Sequence, residues 1–210
     1  MENRVAAVIA AHKRHGRGGI VSVCSAHPAV IRAAAELARE YGATLLLEST
    51  SNQVDQFGGY TGLTPAQFIA QVKALLPADA NPVFGGDHLG PNRWQHLPSD
   101  EAMKNSEELI RHYVQAGYEK IHLDCSMSCA GDPVPLPDAT VRLCRIAEDT
   151  RAAMPGAVPL VYIIGTEVPV PGGAKEALDG VTPTTPDAAR TTYDVHQKTF
   201  AAHGLGDDVW

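Results

Sequence analysis

The sequence predicts an α/β fold of the (β/α)8 barrel class, represented by about five βα units. Three observations predict it. Apolar β-type runs alternate with amphipathic helical runs five times in succession. The turn after the first run reads "CSAHPAV", not the G-x-G-x-x-G of a doubly wound dinucleotide fold. Each apolar run also ends in polar side chains, as barrel strands do at their C-terminal rim.

The elements follow in order. "GIVSVCSA" (19–26) reads as a strand and precedes a helix over 28–42. Pro28 suits the first turn of that helix, and Gly42 suits its C-terminal cap. "TLLLEST" (44–50) is the second strand. A loop then leads to a helix over 64–76, with Thr64 as N-cap and Pro65 next to it. "PVFGGDH" (82–88) precedes a helix over 99–117, again ending in Gly. "KIHLDCS" (120–126) precedes a helix over 138–151. "LVYIIGTE" (160–167) precedes a Pro/Gly loop and a helix over 185–204. Repeated β-then-α units imply parallel strands joined by helical crossovers.

The 210 residues are enough for one sizeable core. A complete barrel needs about 250, and the chain stops at "GLGDDVW", where a sixth strand would begin. The expectation is one incomplete barrel domain over 1–210, the N-terminal part of a longer protein. A sheet left open at that point would expose an unpaired edge.

Net charge is −7, basic residues are scattered, and aromatics make up 6%. Nucleic acid and anionic membranes are therefore not expected as partners. No run approaches the apolar length of a membrane span. The first twenty residues, "MENRVAAVIAAHKRHGRGGI", carry charges within their apolar stretch and lack a signal-peptide pattern. Four cysteines without an export signal predict reduced cytoplasmic thiols. Cys125 and Cys129 form C-x3-C without a second pair, so they read as small buried hydrophobes, as do Cys24 and Cys144.

The strand ends carry the chemistry. The first offers Cys24, Ser25 and His27; the second offers Glu48, followed by Ser51, Asn52 and Gln53. The third ends in Asp87 and His88, the fourth carries His122 and Asp124, and the fifth ends in Thr166 and Glu167. A single acid after a strand often caps the next helix. Capping explains Asp87 and His88 poorly, because Pro91 and a loop separate them from the helix at 99. The preceding Gly85-Gly86 pair lets the backbone bend or something approach closely.

In "KIHLD", His122 and Asp124 share one strand face, opposite Ile121 and Leu123. That polar face would point into the barrel, with Asp124 near the mouth. His122 itself, in mid-strand, reads as a hydrogen-bonded core histidine. His12, His15, His96, His112, His196 and His203 lie on polar or helical segments and are expected to be solvated.

One imidazole and several carboxylates at a rim suit Zn²⁺ or Mn²⁺ acting as a Lewis acid. His88 is the first choice of ligand and Glu167 the second. Asp87 and Asp124 are the candidate proton-transfer groups. Ser25, His27, Glu48, Asn52, Gln53 and Gly59 are candidate substrate contacts. The loop "NQVDQFGGYTG" (52–62) could cover the mouth as a lid.

The segments "VCSAHP", "ESTSNQVDQFGGYTGLTP", "GGDHLGPNRW", "KIHLDCSMSCAGDP" and "IGTEVPVPGG" resemble the GatZ/KbaZ-like family, the partner subunits of class II tagatose-1,6-bisphosphate aldolase. The resemblance runs nearly end to end. The family in turn is similar to the catalytic class II aldolase subunit, a zinc-dependent (β/α)8 barrel. There an Asp-His pair after the third strand supplies proton transfer and a zinc ligand. The resemblance implies those roles for Asp87 and His88, and a ligand role for Glu167 in a segment similar to the fifth strand of that subunit.

The family resemblance implies a non-catalytic subunit that stabilises a catalytic class II aldolase partner and supports its full activity in D-tagatose and galactitol breakdown. Some members resemble metal-dependent 4-epimerases of D-tagatose or its 6-phosphate. Tagatose and fructose differ at C4, whose hydrogen is not α to the C2 ketone, so enolisation alone cannot invert it. Cleaving C3–C4 by retro-aldol gives an enediolate and an aldehyde. Turning the aldehyde before the bond re-forms gives the C4 epimer.

Overall fold

The computed structural model describes residues 2–131, 137–165 and 185–206. Five strands, β1 (Val21–Cys24), β2 (Leu45–Thr50), β3 (Val83–Leu89), β4 (Lys120–Asp124) and β5 (Val161–Gly165), form one sheet in chain order. All four pairings are parallel. Sequential order with helical crossovers is the arrangement of a partial (β/α)8 barrel. The crossover helices are α2 (Pro28–Tyr41), α3 (Pro65–Leu75), α4 (Ser99–Ala116) and α5 (Pro137–Ala152), and α6 (Pro186–Ala202) follows β5. Each expected strand and helix over these residues forms, with ends within two or three residues of expectation. No described helix is long and apolar enough to cross a membrane.

One helix was not expected. α1 (Arg4–His15) precedes the first strand. Asn3 caps it: Oδ1 accepts from the backbone N–H groups of Val5 and Ala6 at 2.9 and 3.2 Å. The same side chain is buried, and its Nδ2 donates to the carbonyls of Glu119 and Pro159, both at 2.9 Å. Val5 packs with Leu46 and Val83 in a small cluster joined by Ile20 and Val161. These residues lie in the first half of β2, β3 and β5. α1 therefore closes the N-terminal end of the sheet and leaves the C-terminal rim as the open side.

Strand alternation divides the remaining side chains. Leu47, Phe84, Ile121 and Leu123 join Phe68, Leu109, Tyr113 and the other helix residues in the main core. Burying such side chains contributes roughly 1.5–3 kcal/mol each. The opposite face carries apolar Leu46 and Val83 at its N-terminal end and Glu48, Asp87, Lys120, His122 and Asp124 toward the C-terminal rim.

Three sequence expectations about burial need correction. Cys24 is exposed, because β1 lies at the edge of the described sheet. His196 is buried, not solvated: it lies on the packed side of α6, with Nδ1 2.9 Å from the Thr192 carbonyl. His122 is not a plain core histidine, for the reasons given below. Cys125, Cys129 and Cys144 are buried, as expected.

Candidate metal centre

β3 departs from regular pairing where its chemistry begins. Gly86 pairs with Ile121 and Leu89 with Leu123, so three steps on β3 match two on β4. The extra residue is a bulge, a device found beside active sites. It lets two neighbours, Asp87 and His88, reach the same region, which regular alternation would forbid. His88 bears the strain, with φ 49°. Such a conformation in a non-glycine residue costs on the order of 1–2 kcal/mol and points to a functional constraint. The Ser51 hydroxyl donates to the His88 carbonyl at 3.1 Å and fastens this turn to the top of β2.

Two carboxylate–imidazole pairs form here. His88 Nδ1 lies 2.8 Å from Asp124 Oδ2. His122 Nδ1 lies 2.7 Å from Asp87 Oδ1. An ionised carboxylate only accepts, so each Nδ1 carries the proton it shares with its carboxylate. The rings are neighbours, with centroids 4.7 Å apart. Asp124 Oδ1 also accepts from the Ser126 hydroxyl at 2.6 Å and its backbone N–H at 3.1 Å.

Both acids are held ionised. Burial pushes Asp87 upward, but the His122 hydrogen bond and the Lys120 charge outweigh it and lower its pKa to about 2. Burial likewise opposes ionisation of Asp124, and the bonds from Ser126 and His88 overcome it, so its pKa is lowered. The Cys24 thiol moves the other way, to about 11, because it is partly buried and faces Asp87 and Glu48.

Ligand atoms of Asp87, His88 and His122 lie within 4.8 Å of one another. One carboxylate and two imidazoles make a donor set that fits Zn²⁺ or Mn²⁺. Asp124 behind His88 completes the carboxylate–histidine arrangement that orients metal ligands. Among the described residues, Glu48 and Asp87 share one buried ammonium, that of Lys120.

A deeper layer supports this one. The Lys120 ammonium pairs with Glu48 and lies 3.7 Å from Asp87 Oδ1. Gly85 stands between Glu48 and Lys120 in the strand register. A Cβ on Gly85 would sit 2.7 Å from Glu48 Oε1 and 3.1 Å from Lys120 Cδ. Gly86 faces the helices, where a Cβ would meet Leu89 and Tyr113. The double glycine thus makes room on both faces.

Of the expected site residues, Asp87, His88 and Asp124 come together. Glu48 lies one layer below, paired with Lys120. Glu167 and Thr166 lie outside the described residues. Gln53 is buried beside β1, with Oε1 accepting from the Thr50 N–H at 2.8 Å and lying 3.7 Å from Cys24 Sγ. Gly59 packs against the Gln53 carbonyl, where a Cβ would clash. Asn52 is exposed, and its carbonyl accepts from Tyr60. His27 caps α2, its Nδ1 accepting from the Ala29 N–H at 3.2 Å, and Ser25 Oγ accepts from the His27 N–H.

Two residues of this cluster were missed as functional groups. The signal for His122 was present in its shared face with Asp124. Lys120 was read only as the strand boundary, although it lies two residues before His122 on that same face.

A protein-family model described as "D-tagatose-1,6-bisphosphate aldolase subunit GatZ/KbaZ-like" matches residues 5–210. The chain belongs to this GatZ/KbaZ-like family. Among solved structures, it is similar to a probable tagatose 6 phosphate kinase from Sinorhizobium meliloti 1021, with 44% identity and a TM-score of 0.74. That match covers 91% of this chain and 48% of the other. A putative lyase/mutase from Burkholderia cenocepacia J2315 aligns at 19% identity and a TM-score of 0.43, over 77% of this chain and 53% of that one. The chain thus spans about half the length of the solved structures it matches.

Proposed function

We propose that this GatZ/KbaZ-like chain serves cytoplasmic D-tagatose and galactitol-type catabolism as a subunit supporting a class II aldolase, and that its barrel mouth is a divalent-metal site for ketose chemistry. One observation carries the metal site: the donor atoms of Asp87, His88 and His122 converge, with Asp124 buttressing His88. A Zn²⁺ or Mn²⁺ ion held there would supply Lewis-acid stabilisation of the negative charge that develops on a cleaved ketose.

The chain's own groups would do the rest. Asp124 orients the His88 ring through Nδ1. Asp87 and Asp124 are the carboxylates available to take and return the C4 hydroxyl proton. Asp87 is kept ionised by its neighbours, so it holds no proton of its own near neutral pH. Glu167 is proposed as a further ligand, and the 52–62 loop as the wall beside the substrate.

The converging donors favour a reading in which the protein itself turns over, as a metal-dependent D-tagatose (6-phosphate) 4-epimerase by retro-aldol and aldol steps. The family description favours the supporting-subunit reading. Full-length protein with Zn²⁺ or Mn²⁺ and tagatose 6-phosphate separates the two. Steady conversion to fructose 6-phosphate, lost in His88→Ala, supports the epimerase. Absence of turnover, with a longer half-life of a class II aldolase on mixing, supports the subunit alone.

A further inference from the structure

Lys120 is a poor candidate for ordinary structure. It is buried, and it faces the polar interior of the sheet instead of solvent. Alternate strands are about 10 Å apart, so Glu48 on β2 and Lys120 on β4 can meet only across β3. Gly85 permits the meeting, because any side chain there would occupy the space of the pair. A buried ion pair costs several kcal/mol per charge in lost solvation and is weak evidence for a stabilising role. The position of the ammonium suggests another role. It lies 3.7 Å from Asp87 Oδ1, the same oxygen that His122 Nδ1 approaches at 2.7 Å. Oδ2, the other oxygen, is turned toward His88, 3.9 Å from its Nε2.

We infer that Lys120, braced by Glu48 over Gly85, is the positioning residue that fixes the Asp87 carboxylate and, through Oδ1, the Nδ1–H tautomer of His122. With Oδ1 engaged by His122 and Lys120, Oδ2 is left for the ligand beside His88 Nε2. The inference deepens the proposed metal site and rests on that reading for its functional meaning. The positioning itself is a property of the metal-free protein.

The test uses full-length protein labelled with ¹⁵N-histidine. In metal-free protein, the His122 resonances, assigned by their loss in His122→Gln, should report the Nδ1–H tautomer. Two variants should weaken it: Lys120→Met/Glu48→Gln, which removes both charges without changing net charge, and Gly85→Ala, which displaces the pair with both charges intact. Lys120→Arg, which keeps a cation, should retain more of the signal than the double variant. Cooperative melting verifies folding, and either variant alone suffices for the decision. An unchanged His122 tautomer in a folded variant overturns the inference. On the same samples, Co²⁺ titration should show at least about tenfold weaker binding in the charge-neutral double variant. A parent protein that binds no Co²⁺ would sink the metal reading, while the histidine spectra would still decide the positioning role.

Discussion

His88 Nδ1 and Asp124 Oδ2 stand 2.8 Å apart across the bulge that joins β3 to β4. The contact fixes the ring of a strained residue and leaves its Nε2 3.9 Å from Asp87 Oδ2. Replacing Asp124 with Asn keeps the shape but removes the charge and frees the ring to rotate. Asp124→Asn should weaken Zn²⁺ or Co²⁺ binding by about 10–100-fold, as loss of such orienting carboxylates does. Calorimetric titration checks it, and an unchanged affinity would show that His88 needs no support.

The backbone at His88 should carry a measurable cost. Its φ of 49° lies in the left-handed region that suits glycine. His88→Gly and His88→Ala both lose the ring, so their difference isolates the backbone. His88→Gly should be more stable than His88→Ala by about 1 kcal/mol in urea denaturation. Equal stabilities would mean the turn relaxes once the imidazole is gone.

Asp87 sets an acid limit on stability. Its folded pKa of about 2 lies below the ordinary 3.8, so its contribution is complete above about 4 and is lost as pH falls toward 2. In metal-free protein, the stability difference between the parent and Asp87→Asn should therefore shrink across that window and stay level just above it. A difference that grows on acidification would contradict the ionic partnership with His122 and Lys120.

The four thiols should divide by access. Cys125 and Cys144 are pushed by burial to about 12. Cys24 is exposed but raised to about 11 by partial burial and its acidic neighbours. A thiol-specific reagent at pH 8 should label Cys24 first, yet more slowly than a free cysteine, because little thiolate is present. Rapid labelling would mean the Asp87 side of the mouth is far less negative than described.

Much of this architecture could be read in the residues, because periodicity reports which face is buried. "KIHLD" placed His122 and Asp124 on one face, and the glycines of "GGDH" marked a place where the backbone could bend. What escaped depended on partners distant in sequence. The exposure of Cys24 follows from β1 lying at a sheet edge, which its own residues do not encode. Lys120 shares the His122 face, but its meaning comes from Glu48, 72 positions away, and from the missing side chain at Gly85. α1 was hidden because charges interrupt its short apolar stretch, and the partners of its capping asparagine lie more than a hundred residues on.

That asparagine also constrains the order of assembly. Asn3 donates to carbonyls 116 and 156 positions downstream, immediately before β4 and β5. Contacts of such separation form late, after the loops between them have closed. α1 also meets Val83 through Val5 and the carbonyls of Asn81 and Pro82 through Arg4, but the Asn3 side chain is satisfied only once the segment before β5 is in place. The floor of the barrel therefore takes two of its hydrogen bonds from segments far along the chain.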